Sequence, residues 1–265
     1  MNRTAVKLSG ADIYVLENGT GQPVLFLHGN PDSADMWSGV IDRVGDQFHC
    51  IAPDLPGFGR SGVPSNFEVS LEGLGRFVAD FVSATGISTP LDLVVHDFGG
   101  PFGLAWAIRN PARVRRIVII NTIFFSDYRW HIWARVWRTP LLGELSMAMM
   151  NRSMFVREMQ RDSPGLGDAH LRETYDRITP AAKRMALRLY RATDPANYAG
   201  WEQELMALTA RVPTCVLWGD RDPYVASRFA DRFGAREVHH YPRNGHWLAV
   251  EAPDEVASRL RAFLA

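Results

Sequence analysis

The sequence predicts an α/β fold in which a mostly parallel sheet is flanked by helices. Short apolar runs rich in β-branched residues alternate along the chain with segments whose apolar residues recur every three or four positions. This alternation is typical of parallel strands connected by helices on both faces of one sheet. The clearest run, residues 91–95, is almost wholly apolar, as a strand covered on both faces should be.

The other elements follow from local patterns in chain order. Apolar or alternating runs bounded by turn residues predict the remaining strands. These are residues 5–8 and 11–17, which form an antiparallel hairpin, and then 24–27, 49–52, 114–120, 214–218 and 237–241. Apolar residues at helical spacing, or a capping residue, predict the helices. These are a helix capped by Ser33 or Asp35 and running to about Val44, and then 71–85, 98–109, 227–233 and 253–264.

The alternation is interrupted between about residues 123 and 201, where no strand-like run occurs. A gap of this length between two strands of one sheet is expected to hold an inserted, all-helical cap. We therefore predict a cap over residues 123–200 and an α/β core made of two parts, residues 1–122 and 201–265.

The composition of the interrupted segment suits the wall of a pocket. Trp130, Trp133 and Trp137 have helical spacing, and seven of the nine methionines lie between Met147 and Met206. Tryptophan and methionine form apolar, adaptable surfaces. Each of these side chains taken singly also suits simple packing of the cap on the core.

The overall composition excludes several classes of protein. The 265 residues are 46% hydrophobic and 22% charged, with a formal net charge of zero, so nothing favours nucleic acid or an anionic membrane as a partner. Two cysteines at strand positions, Cys50 and Cys215, do not suggest a disulfide framework. Because no leader-like or membrane-spanning apolar run is present, we expect a cytoplasmic protein. We also expect either a monomer or a homodimer.

Asp97 lies at the predicted corner between the strand of residues 91–95 and the following helix. Three glycines, Gly99, Gly100 and Gly103, leave room for that helix to approach the sheet closely. A carboxylate that attacks an alkyl carbon forms an ester, which water can then hydrolyse, whereas a serine would form an inert ether. Asp97 is therefore a candidate nucleophile for displacing an epoxide oxygen or a halide, and the alternative is an aspartate that only caps the helix.

Five motifs carry a resemblance to a known family. They are His28-Gly29-Asn30-Pro31, Asp54-Leu55-Pro56-Gly57-Phe58-Gly59-Arg60-Ser61, His96-Asp97-Phe98-Gly99-Gly100, Gly219-Asp220-Arg221-Asp222-Pro223 and Gly245-His246-Trp247. In this order and spacing, the chain resembles the α/β-hydrolase family over essentially its whole length. More narrowly, it resembles the epoxide hydrolase and haloalkane dehalogenase branch, which uses an aspartate nucleophile.

The resemblance implies a catalytic triad of Asp97, Asp222 and His246. His246 would activate the water that hydrolyses the ester, and Asp222 would orient the imidazole. Asp220 competes for the role of the acid, but the family's acid lies at the slightly later position of Asp222. Some relatives carry the acid after the preceding core strand, where this chain has Asn121, which cannot serve as an anion.

The resemblance also implies an oxyanion hole. The backbone N–H groups of Phe98 and Asn30 match its position, and Gly29 permits the tight turn that it needs. It further suggests that the Asn30–Pro31 peptide bond is cis, although trans is the default for such bonds.

The leaving group is less clear from the sequence. Tyr190 matches a cap tyrosine that protonates the epoxide oxygen in similar epoxide hydrolases, but a partner tyrosine is not evident. Trp133 and Trp137 occupy the matching early-cap region, with Tyr128 before and Tyr175 after them.

Halide release has its own requirements. Dehalogenases similar to this chain bind halide with a tryptophan after the nucleophile, where this chain has Phe98, together with an asparagine such as Asn30 or a cap tryptophan. Fluoroacetate dehalogenases share the Tyr190 position, but they place arginines for the substrate carboxylate just after the nucleophile, and this chain has none at residues 98–102.

The sequence therefore predicts an epoxide hydrolase that forms an ester on Asp97 from a small apolar epoxide, with water as the second substrate. The alternative is a haloalkane or haloacid dehalogenase with the same nucleophile. A ligand-binding protein or a cofactor-free enzyme of another kind stays open, because fold does not determine function. We expect no cofactor and no metal, since no ligand cluster or phosphate-binding loop stands out.

Overall fold

The computed structural model describes residues 1–265 and contains one eight-stranded sheet. The strands are β1 (Asn2–Leu8), β2 (Ala11–Asn18), β3 (Gln22–Leu27), β4 (Phe48–Pro53), β5 (Leu91–His96), β6 (Val114–Ile120), β7 (Thr214–Gly219) and β8 (Glu237–Tyr241). Their spatial order is β1-β2-β4-β3-β5-β6-β7-β8, with β1–β2 and β2–β4 antiparallel and all other pairs parallel. The predicted α/β class with a mostly parallel sheet is confirmed.

Eleven α-helices accompany the sheet. They are α1 (Ser38–Val44), α2 (Leu71–Ala84), α3 (Gly99–Arg109), α4 (Ile132–Arg138), α5 (Leu142–Met149), α6 (Arg152–Asp162), α7 (Asp168–Asp176), α8 (Pro180–Ala192), α9 (Trp201–Thr209), α10 (Leu248–Glu251) and α11 (Pro253–Leu264). Two predicted helices differ in type. The segment capped by Ser33 begins as a 3-10 turn, Ala34–Trp37, and Ser227–Phe233 is 3-10 throughout. Such tighter turns are frequent at the start of α-helices and in connections.

Strand β5 shows why the sheet is buried on both faces. Leu93 and Val95 join a hydrophobic cluster on one face with α2 and α3, and Val94 joins a second cluster on the other face with α1 and α11. Side chains alternate between the two faces of a strand, so only a continuous apolar run fills both layers. This strand is central, between β3 and β6, and it ends at the site described below.

The chain between β6 and β7 contains helices and no strand, namely α4 to α8, a 3-10 turn at Pro195–Tyr198, and α9. Its buried side chains join both hydrophobic clusters, for example Met185 and Leu189 in one and Phe155 and Met159 in the other. The helical segment therefore packs directly on the α/β core. The exact domain boundaries at residues 122/123 and 200/201 stay a prediction.

Both cysteines, Cys50 and Cys215, are buried and unpaired, as expected of small side chains within strands. No helix in the structure combines the length and the apolar character that crossing a bilayer requires.

Candidate active site

A sharp corner between β5 and α3 presents Asp97. Its φ angle of 48° lies in the left-handed region, which residues other than glycine rarely adopt. The Thr122 hydroxyl donates a hydrogen bond to the Asp97 carbonyl, and a side chain at Gly100 would overlap Thr122. Such strained corners persist only where their surroundings hold them, and they cluster at functional sites.

The Asp97 carboxylate points to the loop that follows β3. The backbone N–H of Asn30 donates to Asp97 Oδ1 at 2.8 Å. A methyl group at Gly29 would overlap the same carboxylate, so glycine is required for this approach of the backbone. The Asn30–Pro31 bond that follows is cis. The predicted Gly29 and Asn30 thus lie directly against Asp97.

The structure brings Asp97, Asp222 and His246 together from three separate loops. His246 Nδ1 lies 2.7 Å from Asp222 Oδ2, and Nε2 lies 3.6 Å from Asp97 Oδ2. The other Asp222 oxygen accepts hydrogen bonds from the N–H groups of Tyr224 and Val225 at 2.7 and 2.9 Å. Asp220, the competitor for the acid role, binds His240 Nδ1 at 2.6 Å on the protein surface instead.

The charges of this trio reinforce one another. Burial alone would lower the pKa of His246, but its contacts with Asp222 and Asp97 raise that pKa to about 10. Burial works against ionisation of Asp97, yet the hydrogen bond and charge of His246 bring the pKa of Asp97 below its usual value. At neutral pH the pair is therefore an ionised carboxylate beside a charged imidazole. A carboxylate held in this state is able to attack an electrophilic carbon.

Asn121 has a place in the site that sequence reasoning missed, because we considered it only as a substitute acid. Its Nδ2 donates to Asp222 Oδ2 at 2.9 Å and to the Gly219 carbonyl at 3.1 Å. Its Oδ1 accepts from the Gly219 N–H at 2.9 Å. Asn121 therefore connects the end of β6 to the end of β7 and fixes the carboxylate that holds His246. Its position at the end of a core strand was the available signal.

His96 is a second residue that the sequence did not identify. Its Nε2 lies 2.9 Å from the His246 carbonyl oxygen, and since a carbonyl only accepts, Nε2 carries the proton. Burial lowers the pKa of His96 to about 4, so the ring is neutral. The two imidazole rings are 4.7 Å apart. His96 therefore supports the loop that carries His246.

A mostly apolar cavity of about 140 Å³ lies over Asp97 and His246. Its lining includes Asp97 and His246 together with predicted site residues from both parts of the chain: Asn30, Phe98, Trp133, Trp137 and Tyr190. Its lining also includes methionines and a phenylalanine from α5, α6 and the turn between them: Met147, Met150, Met154, Phe155 and Met159. A cavity of this kind favours an apolar ligand.

Tyr190 lies in this cavity against the residue that follows Asp97. Its ring packs edge-on against Phe98, with centroids 4.9 Å apart, and lies 5.0 Å from Trp137. Trp137 in turn stacks with Trp133 at 6.3 Å. Burial, followed by the charge of Asp97, raises the pKa of the Tyr190 hydroxyl well above its usual value, and the nearby Asn30 side chain only partly opposes this rise. Tyr190 therefore keeps its proton and is available as a donor.

Neither tyrosine that the sequence offered as a partner of Tyr190 has a free hydroxyl. Tyr128 donates to the Tyr224 carbonyl at 3.0 Å, and Tyr175 donates to the Met150 carbonyl at 3.3 Å. A hydroxyl already used in this way is poorly placed to serve a substrate.

His131 instead lies beside Tyr190, with ring centroids 5.9 Å apart, and it lines the cavity. Its Nδ1 accepts from the Ala134 N–H at 3.3 Å, and burial lowers its pKa to about 4. The neutral ring therefore carries its proton on Nε2.

One group of side chains has metal-ligand types, namely Cys215, Glu237 and His239. None of the three lines the cavity. Burial raises the pKa of the Cys215 thiol to about 12, which disfavours the thiolate that a metal requires.

A family model described as the alpha/beta hydrolase fold matches residues 22–253. Haloalkane dehalogenase 2 of Mycobacterium tuberculosis is 28% identical over 260 residues, covering 94% of this chain and 90% of that protein. Cis-3-alkyl-4-alkyloxetan-2-one decarboxylase of Xanthomonas campestris is 27% identical over 270 residues, covering 92% and 88%.

Two further similarities extend over nearly the whole chain. Epoxide hydrolase 3 of Xenopus tropicalis is 24% identical over 279 residues, covering 95% of this chain and 74% of that protein. The crystal structure of a DBJA variant superimposes with a TM-score of 0.84 at 26% identity, covering 100% of this chain and 98% of the other.

Proposed function

The chain belongs to the α/β-hydrolase family and is a hydrolase of the dehalogenase and epoxide hydrolase type, and on that premise we propose that it opens small apolar epoxides to diols. In this proposal, Asp97 is the nucleophile, His246 with Asp222 activates water, and Tyr190 protonates the leaving oxygen. The cap over residues 123–200 and the apolar cavity beneath it select the substrate.

The observation that carries the choice of an epoxide is the position of the Tyr190 hydroxyl. It is buried in the same cavity as Asp97, and burial keeps it protonated. An epoxide oxygen leaves as an alkoxide and needs such a proton, whereas a halide needs only N–H or O–H donors. Phe98, the residue after Asp97, has no donor in its side chain.

In the first step, Asp97 Oδ2 attacks a ring carbon of the epoxide. A carbon–oxygen bond of the ring breaks as the ester bond forms, and the released oxygen takes the proton of Tyr190. We assign His131 as a second hydrogen-bond donor to that oxygen through Nε2, because it lines the cavity beside Tyr190 and its Nδ1 is occupied by Ala134.

In the second step, His246 becomes a base because the ester has removed the negative charge of Asp97. That charge is one of the two that raise the pKa of the imidazole, so His246 releases its proton, which restores Tyr190. The neutral imidazole takes a proton from water as the hydroxide attacks the Asp97 carbonyl carbon. The N–H groups of Asn30 and Phe98 stabilise the oxyanion, and the diol leaves as Asp97 and charged His246 return.

Haloalkane hydrolysis is the second candidate, and the side chain of Asn30 favours it. This amide lines the cavity near Asp97, and with the Tyr190 hydroxyl it would offer two donors to a halide. The whole-chain similarity to a haloalkane dehalogenase points the same way. Asp97, Asp222 and His246 would act as before, so only the leaving group separates the two candidates.

Intact mass of a His246→Ala variant tests both candidates, since its ester intermediate should persist. The variant is incubated separately with an aryl epoxide and a bromoalkane, and a D97N/H246A double variant is the matched control. A mass gain equal to the whole epoxide, absent in the control, supports the proposal. A gain equal to the alkyl group without bromine favours the dehalogenase, and no adduct with either class contradicts the Asp97 nucleophile.

A further inference from the structure

The outer surface of α4 and α5 exposes aliphatic side chains that have no partner. Five of them, each between 53% and 82% exposed, form what we call the cap apolar face: Ile132, Leu141, Leu142, Leu145 and Met149. Outside this segment, the large exposed hydrophobic residues are only Met1, Tyr14, Val63 and Met154. Clustered aliphatic exposure of this kind marks a binding surface, whereas scattered single residues do not.

Helix α5 is apolar on two opposite sides. Leu142, Leu145 and Met149 are spaced by three and four residues and share the outer side, whereas Gly143 and Met147 are buried on the inner side. Met147 lines the cavity over Asp97. A helix that is apolar on both sides is expected to be covered on both sides. The fold covers only the inner one.

The side chain of Leu141 is exposed, and its backbone conformation is one that leucine disfavours. It is 82% exposed, and its φ angle is 68°, in the left-handed region that strongly favours glycine or asparagine. Within the fold, no contact of the exposed leucine side chain offsets the cost of this backbone conformation. Burial of the side chain in an apolar phase outside the protein would offset it.

The charge around the face is positive. Residues 123–200 contain twelve arginines and lysines against eight aspartates and glutamates, a net charge of +4, and the remainder of the chain has −4. The net charge of zero is therefore the sum of a positive segment and a negative remainder of the chain. Five arginines on the cap are exposed and form no ion pair: Arg129, Arg135, Arg157, Arg184 and Arg188. Arg135 lies one helical turn after Ile132, and α8, which carries two of the others, packs against α4 and α5.

We propose that the cap apolar face docks on a lipid surface that carries anionic headgroups. The aliphatic side chains enter the acyl boundary, and the unpaired arginines lie at the level of the headgroups. A second copy of the chain fits less well, because a twofold contact through this face would bring the same arginines together without carboxylates opposite them. The nearby Glu144 is already paired with Arg191.

This docking would orient the cavity toward the membrane. Trp133 and Trp137 of α4 and Met147 of α5 line the cavity from the inner side of the docking helices. An apolar substrate dissolved in the bilayer would then meet the enzyme at its cap. The docking itself does not depend on the proposed reaction and is measured without substrate.

Vesicle flotation of the whole protein tests the proposal. Large vesicles of phosphatidylcholine alone are compared with vesicles that also contain phosphatidylglycerol, at low and at high salt. The variants are L142S/L145S and R184Q/R188Q, with Y14S/V63S as the matched control that removes exposed apolar side chains elsewhere. None of these residues lines the cavity, so turnover of a water-soluble substrate should not change.

We expect salt-sensitive binding to the anionic vesicles that weakens at least about tenfold in both cap variants and not in the control. Absence of binding by the unaltered protein would overturn the proposal. Binding that is equal on uncharged vesicles, or that survives both cap variants, would overturn it as well. So would a loss of dimer in L142S/L145S by light scattering, since the occupant would then be a second copy.

Discussion

Replacing Tyr190 with phenylalanine should slow the reaction with an epoxide much more than the reaction with a bromoalkane. The change removes one hydroxyl and keeps the ring, so the packing against Phe98 and Trp137 is preserved. For an epoxide, the alkoxide loses its acid, and a positioned general acid contributes about 10²–10⁴-fold to rate. Because His131 would still offer a hydrogen bond, we expect a loss near the lower end of this range.

For a bromoalkane, the same change removes at most one hydrogen bond to the departing bromide. A neutral hydrogen bond is worth about 1 kcal/mol, which corresponds to roughly fivefold in rate. The two substrates should therefore differ by at least about tenfold in their sensitivity to Tyr190→Phe.

The assay is the rate of ester formation, followed by quenched intact mass in the His246→Ala background, so that hydrolysis of the ester does not intervene. Thermal unfolding of both proteins checks that the fold is retained. Equal slowing with the epoxide and the bromoalkane would refute the acid role of Tyr190. A rate with the epoxide that does not change would refute it even more directly.

Three further outcomes follow from the site. Asp97→Ala should abolish turnover while urea unfolding shows a folded protein, and retained activity would contradict the nucleophile. Asn121→Ala leaves the buried Gly219 N–H without its partner and removes a donor from Asp222, so unfolding free energy should fall by about 2–4 kcal/mol; a loss below about 0.5 kcal/mol would be inconsistent with this. The pKa of His246 is raised from 6.5 to about 10 on folding, so its stabilising contribution is complete below pH 6.5 and is lost as pH rises through 10. Urea titrations should show this alkaline loss in the unaltered protein and not in His246→Gln.

Much of the fold could be predicted because its signals are local. Residues 91–95 are apolar at every position except Asp92. Because the side chains of a strand alternate between its two faces, this nearly continuous run indicates a strand that is covered on both faces. The interruption after β6 was equally visible, since helical spacing replaces strand patterns there. The 3-10 turns at Ala34–Trp37 and Ser227–Phe233 were not distinguished from α-helix, because both conformations bury apolar residues at nearly the same spacing.

Site residues divide in the same way. Glycine and proline motifs marked the corner at Asp97 and the loops of Asp222 and His246, because strand-to-loop turns demand those residue types. The family resemblance favoured Asp222 over Asp220, but only the tertiary structure gives the physical reason. The turn after β7 directs the Asp220 carboxylate to His240 on the surface and the Asp222 carboxylate to His246.

The sequence by itself determined the order of the strands, the corner that carries Asp97 and the helical character of the segment between β6 and β7. Only the tertiary structure decided which side chains support the site, because Asn121 meets Asp222 across 101 residues and His96 meets His246 across 150. It also decided that α5 turns Leu142 and Leu145 outward. Contacts between segments that are distant in sequence depend on how the helices and strands pack, and a local pattern of residues does not predict that packing.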